Sequence, residues 1–240
     1  MFFTLVILFV VSWLAAAISG IAGFGGALLL LPVISHFIGI KAAIPVLTIA
    51  QLFGNASRVW FGRKELQWHP ILWFLAGALP FSVIGSRMLV VTAPEYLIKG
   101  IGVLLLLMVV YRRSGLKVFT AKNRWLLVGG IATGFLSGIA GSAGPLGAAC
   151  FIGLNLPPLA YISSEAFTAL SMHITKTIVY QKYSLIGLNE LGFGLVCGLA
   201  MILGSYTGKK IIERMSKAKF LLLVDILLVL SGLQMIFLKL

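Results

Sequence analysis

The pentapeptide Ser19-Gly20-Ile21-Ala22-Gly23 recurs unchanged as Ser137-Gly138-Ile139-Ala140-Gly141, 118 residues later. At the same offset Gly26 matches Gly144, Leu28 matches Leu146, Arg58 matches Lys176 and Lys64 matches Lys182. One residue further out of register, Gly85-Ser86 matches Gly204-Ser205. Self-similarity at a fixed spacing marks a structural unit built twice. The expected organisation is a first repeat over 1–111, a basic linker over 112–124 and a second repeat over 125–240.

The solvent for that duplicated unit follows from composition. Hydrophobic residues make up 60% of the chain, charged residues only 10%, and the mean hydropathy is +1.08. A soluble domain carries about 25% charged residues, so this chain has too little polar surface to cover a globule in water. Its long unbroken apolar runs also lack the alternation of a membrane barrel. The reading is an all-α integral membrane protein. Apolar segments fall at 2–18, 22–39, 42–61, 69–86 and 95–111, then at 125–137, 143–156, 159–180, 190–208 and 219–238. Each repeat thus has about five helical segments, the first two forming a short pair broken by glycine. The N-terminal segment lacks the basic residues that precede the apolar run of a signal peptide, so it reads as part of the fold.

Basic residues orient the repeats. If each short pair returns to its starting side, 13 of the 19 lysines and arginines gather on one face. Among them are Arg63, Lys64, the bases of the linker, Lys209 and Lys210. A single broken crossing per pair gives parallel halves and a weaker split of 11 to 8. The larger asymmetry favours inverted repeats, both termini outside and the linker in the cytoplasm of an inner-membrane, multi-pass protein. A net charge of +13 is accounted for in this way without nucleic acid.

Gly20, Gly23, Gly25 and Gly26, with Gly138, Gly141, Gly144, Pro145 and Gly147, are badly suited to continuous helix. Irregular backbone at membrane depth survives where it is buried in protein or lines a wet cavity. Two glycine-tipped turns meeting near the midplane would aim free N–H groups and positive dipole ends at one point, an anion site without charged side chains. Close helix packing through small residues is the simpler alternative for either stretch alone; two matched, proline-interrupted stretches favour a substrate site.

These residues carry a resemblance. Gly20–Gly26 followed by Ala27-Leu28-Leu29-Leu30-Leu31-Pro32 resembles the first-repeat motif of the TauE/SafE (sulfite exporter) membrane family. The second copy, Gly138–Gly147, and Asn55-Ala56-Ser57-Arg58 are similar too, and the resemblance covers essentially the whole chain. It implies a transporter of small anions, often sulfur-containing: sulfite, sulfonates or other organic acids. Two departures bear on substrate size. Phe24-Gly25-Gly26-Ala27 stands where the family often has a fuller glycine triplet, and Ser142, Ala143 and Pro145 dilute the second copy.

Polar residues inside apolar segments are the remaining candidates. The offset superposes Asn55 on His173, Ser57 on Thr175 and Arg58 on Lys176. Asn55, Ser57, His173 and Thr175 suit a polar lining. The two cations either flank the cavity and attract an anion or snorkel to lipid phosphates. Glu165 reads as a proton carrier or as a complement to a helix dipole, and Asp225 as a coupling group or a structural ion-pair partner. The candidate substrate site is therefore Gly20, Gly23, Phe24, Gly25, Gly26, Asn55, Ser57, Arg58, Gly138, Gly141, Ser142, Gly144, His173, Thr175 and Lys176. Trp60, Trp68, Trp73 and Trp125 suit interfacial anchors. There is no CxxC pair, HExxH, Walker A or GxSxG motif, so neither an enzyme nor ATP-driven transport by this chain is expected, and no cofactor or metal is called for. A secondary carrier is the leading expectation. An anion channel, or a membrane partner delivering a sulfur species to a cytoplasmic enzyme, is its rival.

Overall fold

The computed structural model describes residues 2–88, positions 103, 106, 107, 109 and 110, and residues 123–237. The expected span 95–111 and the linker up to residue 122 otherwise lie outside the described residues. Among the described residues all regular secondary structure is helical. The first repeat contains α1 (Phe2–Ala22), α2 (Gly26–Ile38), α3 (Ile40–Phe61) and α4 (Trp68–Met88). The second contains α5 (Asn123–Ala140), α6 (Gly144–Ile152), α7 (Pro158–Lys182), α8 (Leu188–Ile212) and α9 (Lys217–Phe237). The offset of 118 maps the starts of α2 and α3 onto those of α6 and α7.

Long apolar sequence dictates most of this. α1, α4 and α8 are long and apolar enough to cross a membrane. α3 and α7 are as long, at 22 and 25 residues. The polar residues they carry dilute their hydropathy, and those residues meet inside the protein. α1 is not short, as the sequence suggests, but runs for 21 residues straight through Gly20.

The glycines explain that continuity. A Cβ on Gly20 would lie 3.1 Å from Gly208 Cα, and one on Gly138 would lie 2.5 Å from the Ser86 nitrogen. Both residues are helical and sit where two backbones touch, so close packing offsets their poor helix propensity. The true breaks are narrower. Gly23 and Gly141 adopt φ of +87° and +75°, the left-handed conformation that ends helices at low cost only for glycine. Neither has room for a side chain, because Tyr161 crowds Gly23 and Ile44 crowds Gly141.

Packing crosses between repeats. α1 lies along α8, with Gly204 against the Trp13 carbonyl, and α4 lies along α5, with Gly85 against the Phe135 carbonyl. α3 packs on α8 and on α7, and α7 packs on α4. Exchanging the repeats converts this set of contacts into itself. Direction can be read from neighbours. Gly62, just beyond α3, is against Ser163 near the start of α7, so α3 and α7 run in opposite directions. Phe61 meets Tyr206 at 5.8 Å, so α3 and α8 run the same way.

Candidate functional site

The four central helix segments around the breaks, α1–α2 and α5–α6, are closed off by α3 and α7. A helix leaves its last carbonyls without partners, a serious cost where no water reaches. In the first repeat Arg58 Nη1 donates to the carbonyls of Ser19 and Gly23, both at 2.9 Å, while Nη2 donates to Asn55 Oδ1. Tyr161 Oη donates to the Ala22 carbonyl at 3.1 Å. The second repeat repeats the device. Lys176 Nζ donates to Ser137 Oγ at 2.9 Å, the Ser137 carbonyl at 3.4 Å and the Gly141 carbonyl at 2.6 Å, and Tyr180 Oη to the Gly138 carbonyl at 3.1 Å. A cation at a helix carboxyl end also complements the dipole. Arg58 is 6% exposed and Lys176 fully buried. Neither snorkels to lipid; both cap the carboxyl end of a broken helix.

A cavity of about 410 Å³, its open mouth included, lies between the repeats. The first repeat contributes Ser19, the turn Gly23–Ala27, and Gln51, Asn55 and Arg58 from α3. The second contributes Thr133 and Ser137 from α5, the turn Ser142–Gly144, and Glu165, Ala169, Met172 and His173 from α7. The two breaks touch: a Cβ on Gly144 would lie 3.4 Å from Phe24 Cβ.

Most expected site residues converge here. Gly23, Phe24, Gly25, Gly26, Asn55, Arg58, Ser142, Gly144, His173 and Glu165 all line the cavity. Others stand apart. Gly20 and Gly138 lie in helix contacts. Ser57 and Thr175 turn back onto the Gly54 and Ser171 carbonyls, and the Gly141 carbonyl and Lys176 bond each other. Asp225 is buried on α9 outside the cavity lining. Thr133, Gln51 and Ser19 line it without having been singled out as binding residues. A lone threonine in a glycine-rich run was the only sequence signal for Thr133.

The cavity's chemistry shows in what is unsatisfied. Arg58 Nε, Thr133 Oγ1, Glu165 Oε2 and His173 Nδ1 are buried and have no hydrogen-bond partner among the described residues. All four side chains line the same cavity. Each such atom costs about 1–3 kcal/mol unless something fills the gap, so the cavity is built for a polar guest. Backbone adds to this from one side only. The first bond into α2 runs from the Leu29 nitrogen to the Gly25 carbonyl at 3.2 Å, leaving the Gly26 and Ala27 N–H groups at an open amino end. At α6, Pro145 has no N–H, the Leu146 nitrogen bonds the Ala143 carbonyl at 3.1 Å, and the Gly144 nitrogen leans on Ser142 Oγ at 3.4 Å. That amino end is closed. Among the described residues no group of side chains is arranged to hold a metal ion.

Apolar helices around a polar cavity walled by both repeats define the class as a helical membrane protein with an internal polar space. The family model for the sulfite exporter TauE/SafE matches residues 8–235, nearly the whole chain, and the protein belongs to that family. It is thus a membrane protein of a transporter family, not of an enzyme family, with a small substrate and a lipid environment. No curated protein and no solved structure matches the chain.

Proposed function

We propose that the protein is a secondary carrier of a small sulfur oxyanion of the sulfite type, working by alternating access between two inverted repeats, 1–111 and 125–240, joined by a cytoplasmic linker at 112–124. The observation that carries this is the cavity itself, where four unpartnered polar atoms from both repeats surround one space. The amides of Gly26 and Ala27, Arg58 Nε, Thr133 Oγ1 and His173 Nδ1 supply donors, and Asn55 holds the guanidinium in place. Lys176 acts on the fold and leaves the guest to Arg58.

The opposed directions of α3 and α7 support the inverted arrangement. So does the exchange of α1 on α8 for α5 on α4. Arg63, Lys64, Arg124, Lys209 and Lys210 cluster at the end where α3 finishes and α5 begins; Lys209 Nζ sits 5.6 Å above the Phe61 ring, and His69 Nε2 lies 2.9 Å from Asn123 Oδ1. Lys182 and Arg87 lie at the other end. The positive-inside bias puts the first group in the cytoplasm of an inner-membrane protein.

The test is thermal unfolding of purified protein against sulfite, sulfate, thiosulfate, sulfonates and short carboxylates. A ligand at a hundred times its dissociation constant stabilises by about 2.7 kcal/mol, and the sulfur oxyanions are expected to do so, less strongly as salt rises. Stabilisation by carboxylates alone overturns the sulfur assignment. In vesicles, saturable counterflow identifies a carrier, whereas flux that never saturates identifies the rival channel.

A further inference from the structure

One group in the cavity has the wrong sign for an anion site. Glu165 lines it, is 3% exposed, and has Oε2 without a partner among the described residues. The duplicated scaffold does not require it, because the matched position in the first repeat is Leu47, a fully buried core residue. Its neighbour in the cavity, Thr133, likewise stands where the first repeat has Ala15. Capping of a helix end does not explain it either, since Glu165 lies two turns into α7.

The charges around it are few. Arg58 faces the cavity from α3, and His173 faces it from α7 itself. Lys176, further along α7, is committed to Ser137 and Gly141, and Tyr161 donates to the Ala22 carbonyl. From α1, α2, α5 and α6 only neutral side chains line the space, and Glu165 Oε1 lies 3.8 Å from where a Cβ on Gly147 would sit. One arginine and one carboxylate leave the cavity near neutral, so a doubly charged guest would bring two uncompensated charges out of water. A carboxylate oxygen and an oxyanion oxygen are both acceptors, and two acceptors approach only with a proton between them.

We propose that Glu165 Oε2 accepts the hydroxyl proton of a singly protonated oxyanion, so that the cavity selects hydrogen-sulfite-type monoanions and one proton enters with each anion. This rests on the anion-carrier reading and assigns its specificity to one side chain. No bond is made or broken; the proton is shared between carboxylate and guest, so the guest brings one net negative charge into the near-neutral cavity where a doubly charged anion would bring two.

The test is calorimetric titration of the full-length protein with sulfite and sulfate, at mildly alkaline pH, in two buffers of different ionisation enthalpy. Sulfite is then largely doubly charged, so its binding to the wild type is expected to take up one proton per anion. Sulfate, which carries no proton, is expected to bind at least about tenfold more weakly. Glu165→Gln removes the charge and adds an amide donor that accommodates a doubly charged guest, so proton uptake falls and sulfate binding gains about tenfold. Glu165→Asp keeps the proton uptake with weaker binding. Sulfite binding to the wild type without proton uptake overturns this assignment alone, whether or not any variant folds, as does an unchanged proton count in Glu165→Gln. A wild type that binds neither anion overturns the carrier reading, and this one with it.

Discussion

Arg58 and Lys176 stand at matched positions and do the same structural work, yet only one of them reaches the cavity. Lys176 spends its donors on three oxygens of the α5 carboxyl end and lines nothing. Arg58 caps α1 with one nitrogen, holds Asn55 with another, and keeps Nε for the cavity. The difference is chemical: a planar guanidinium has donors in fixed, separate directions, whereas an ammonium is a compact point charge. The same pattern extends to the breaks. α2 presents open amides, while Pro145 and the Ala143 carbonyl close α6. In return the second repeat supplies Glu165 and Thr133 where the first has Leu47 and Ala15. The matched positions form a symmetric frame, and the unpartnered polar atoms of the cavity sit where the two copies differ.

Substitutions at matched positions test that division. Lys176→Met strands buried carbonyls and is expected to cost about 3 kcal/mol of stability, read as a lower melting temperature without ligand, while anion affinity stays within about twofold. Arg58→Met should lose both. A Lys176→Met protein of normal stability and lost affinity would break the comparison at its root. Next, Gly138→Ala pushes a methyl to 2.5 Å from the Ser86 nitrogen and is expected to cost about 2 kcal/mol. Gly20→Ala meets its nearest backbone at 3.1 Å and should cost about half as much in the same melting experiment. Arg58→Lys retains the cap but loses the donor into the cavity, so affinity for sulfite should fall about tenfold, or about 1.4 kcal/mol, with a smaller effect on melting. The smallest effect belongs to Pro145→Ala, which returns one N–H to the amino end of α6. Anion affinity should rise by about twofold, the size of a weak dipole contribution, with stability nearly unchanged.

Much of this was legible before any coordinates. The offset of 118 placed the two breaks, Asn55 opposite His173 and Arg58 opposite Lys176, and Asn55, Arg58, Glu165 and His173 stood out as polar residues in apolar runs, whereas Ser19, Gln51 and Thr133 did not. The opposite outcome at Gly20 and Gly138 was hidden, because a glycine that breaks a helix and one that lets a helix approach its neighbour look alike in sequence. Only the partners, Gly208 with Ser205 and Gly85 with Ser86, separate the cases. The fate of the two cations was hidden for a related reason. Whether a buried cation serves a guest or a carbonyl depends on how α3 and α7 fold back over the breaks, a relation spanning 35 and 39 residues in each repeat. Ser57 and Thr175 were read as lining because they are polar, but a helical hydroxyl readily bonds the carbonyl a turn behind it, and both do.

The crossed packing has a consequence for how the molecule is made. Gly204 and Gly208 of α8 fit against the backbone of α1, and Gly77 and Gly85 of α4 fit against the backbone of α5. A nascent chain halted after its first repeat would therefore hold on α4 a groove shaped for a helix not yet synthesised. The closest backbone contacts of each copy are thus made with a helix of the other.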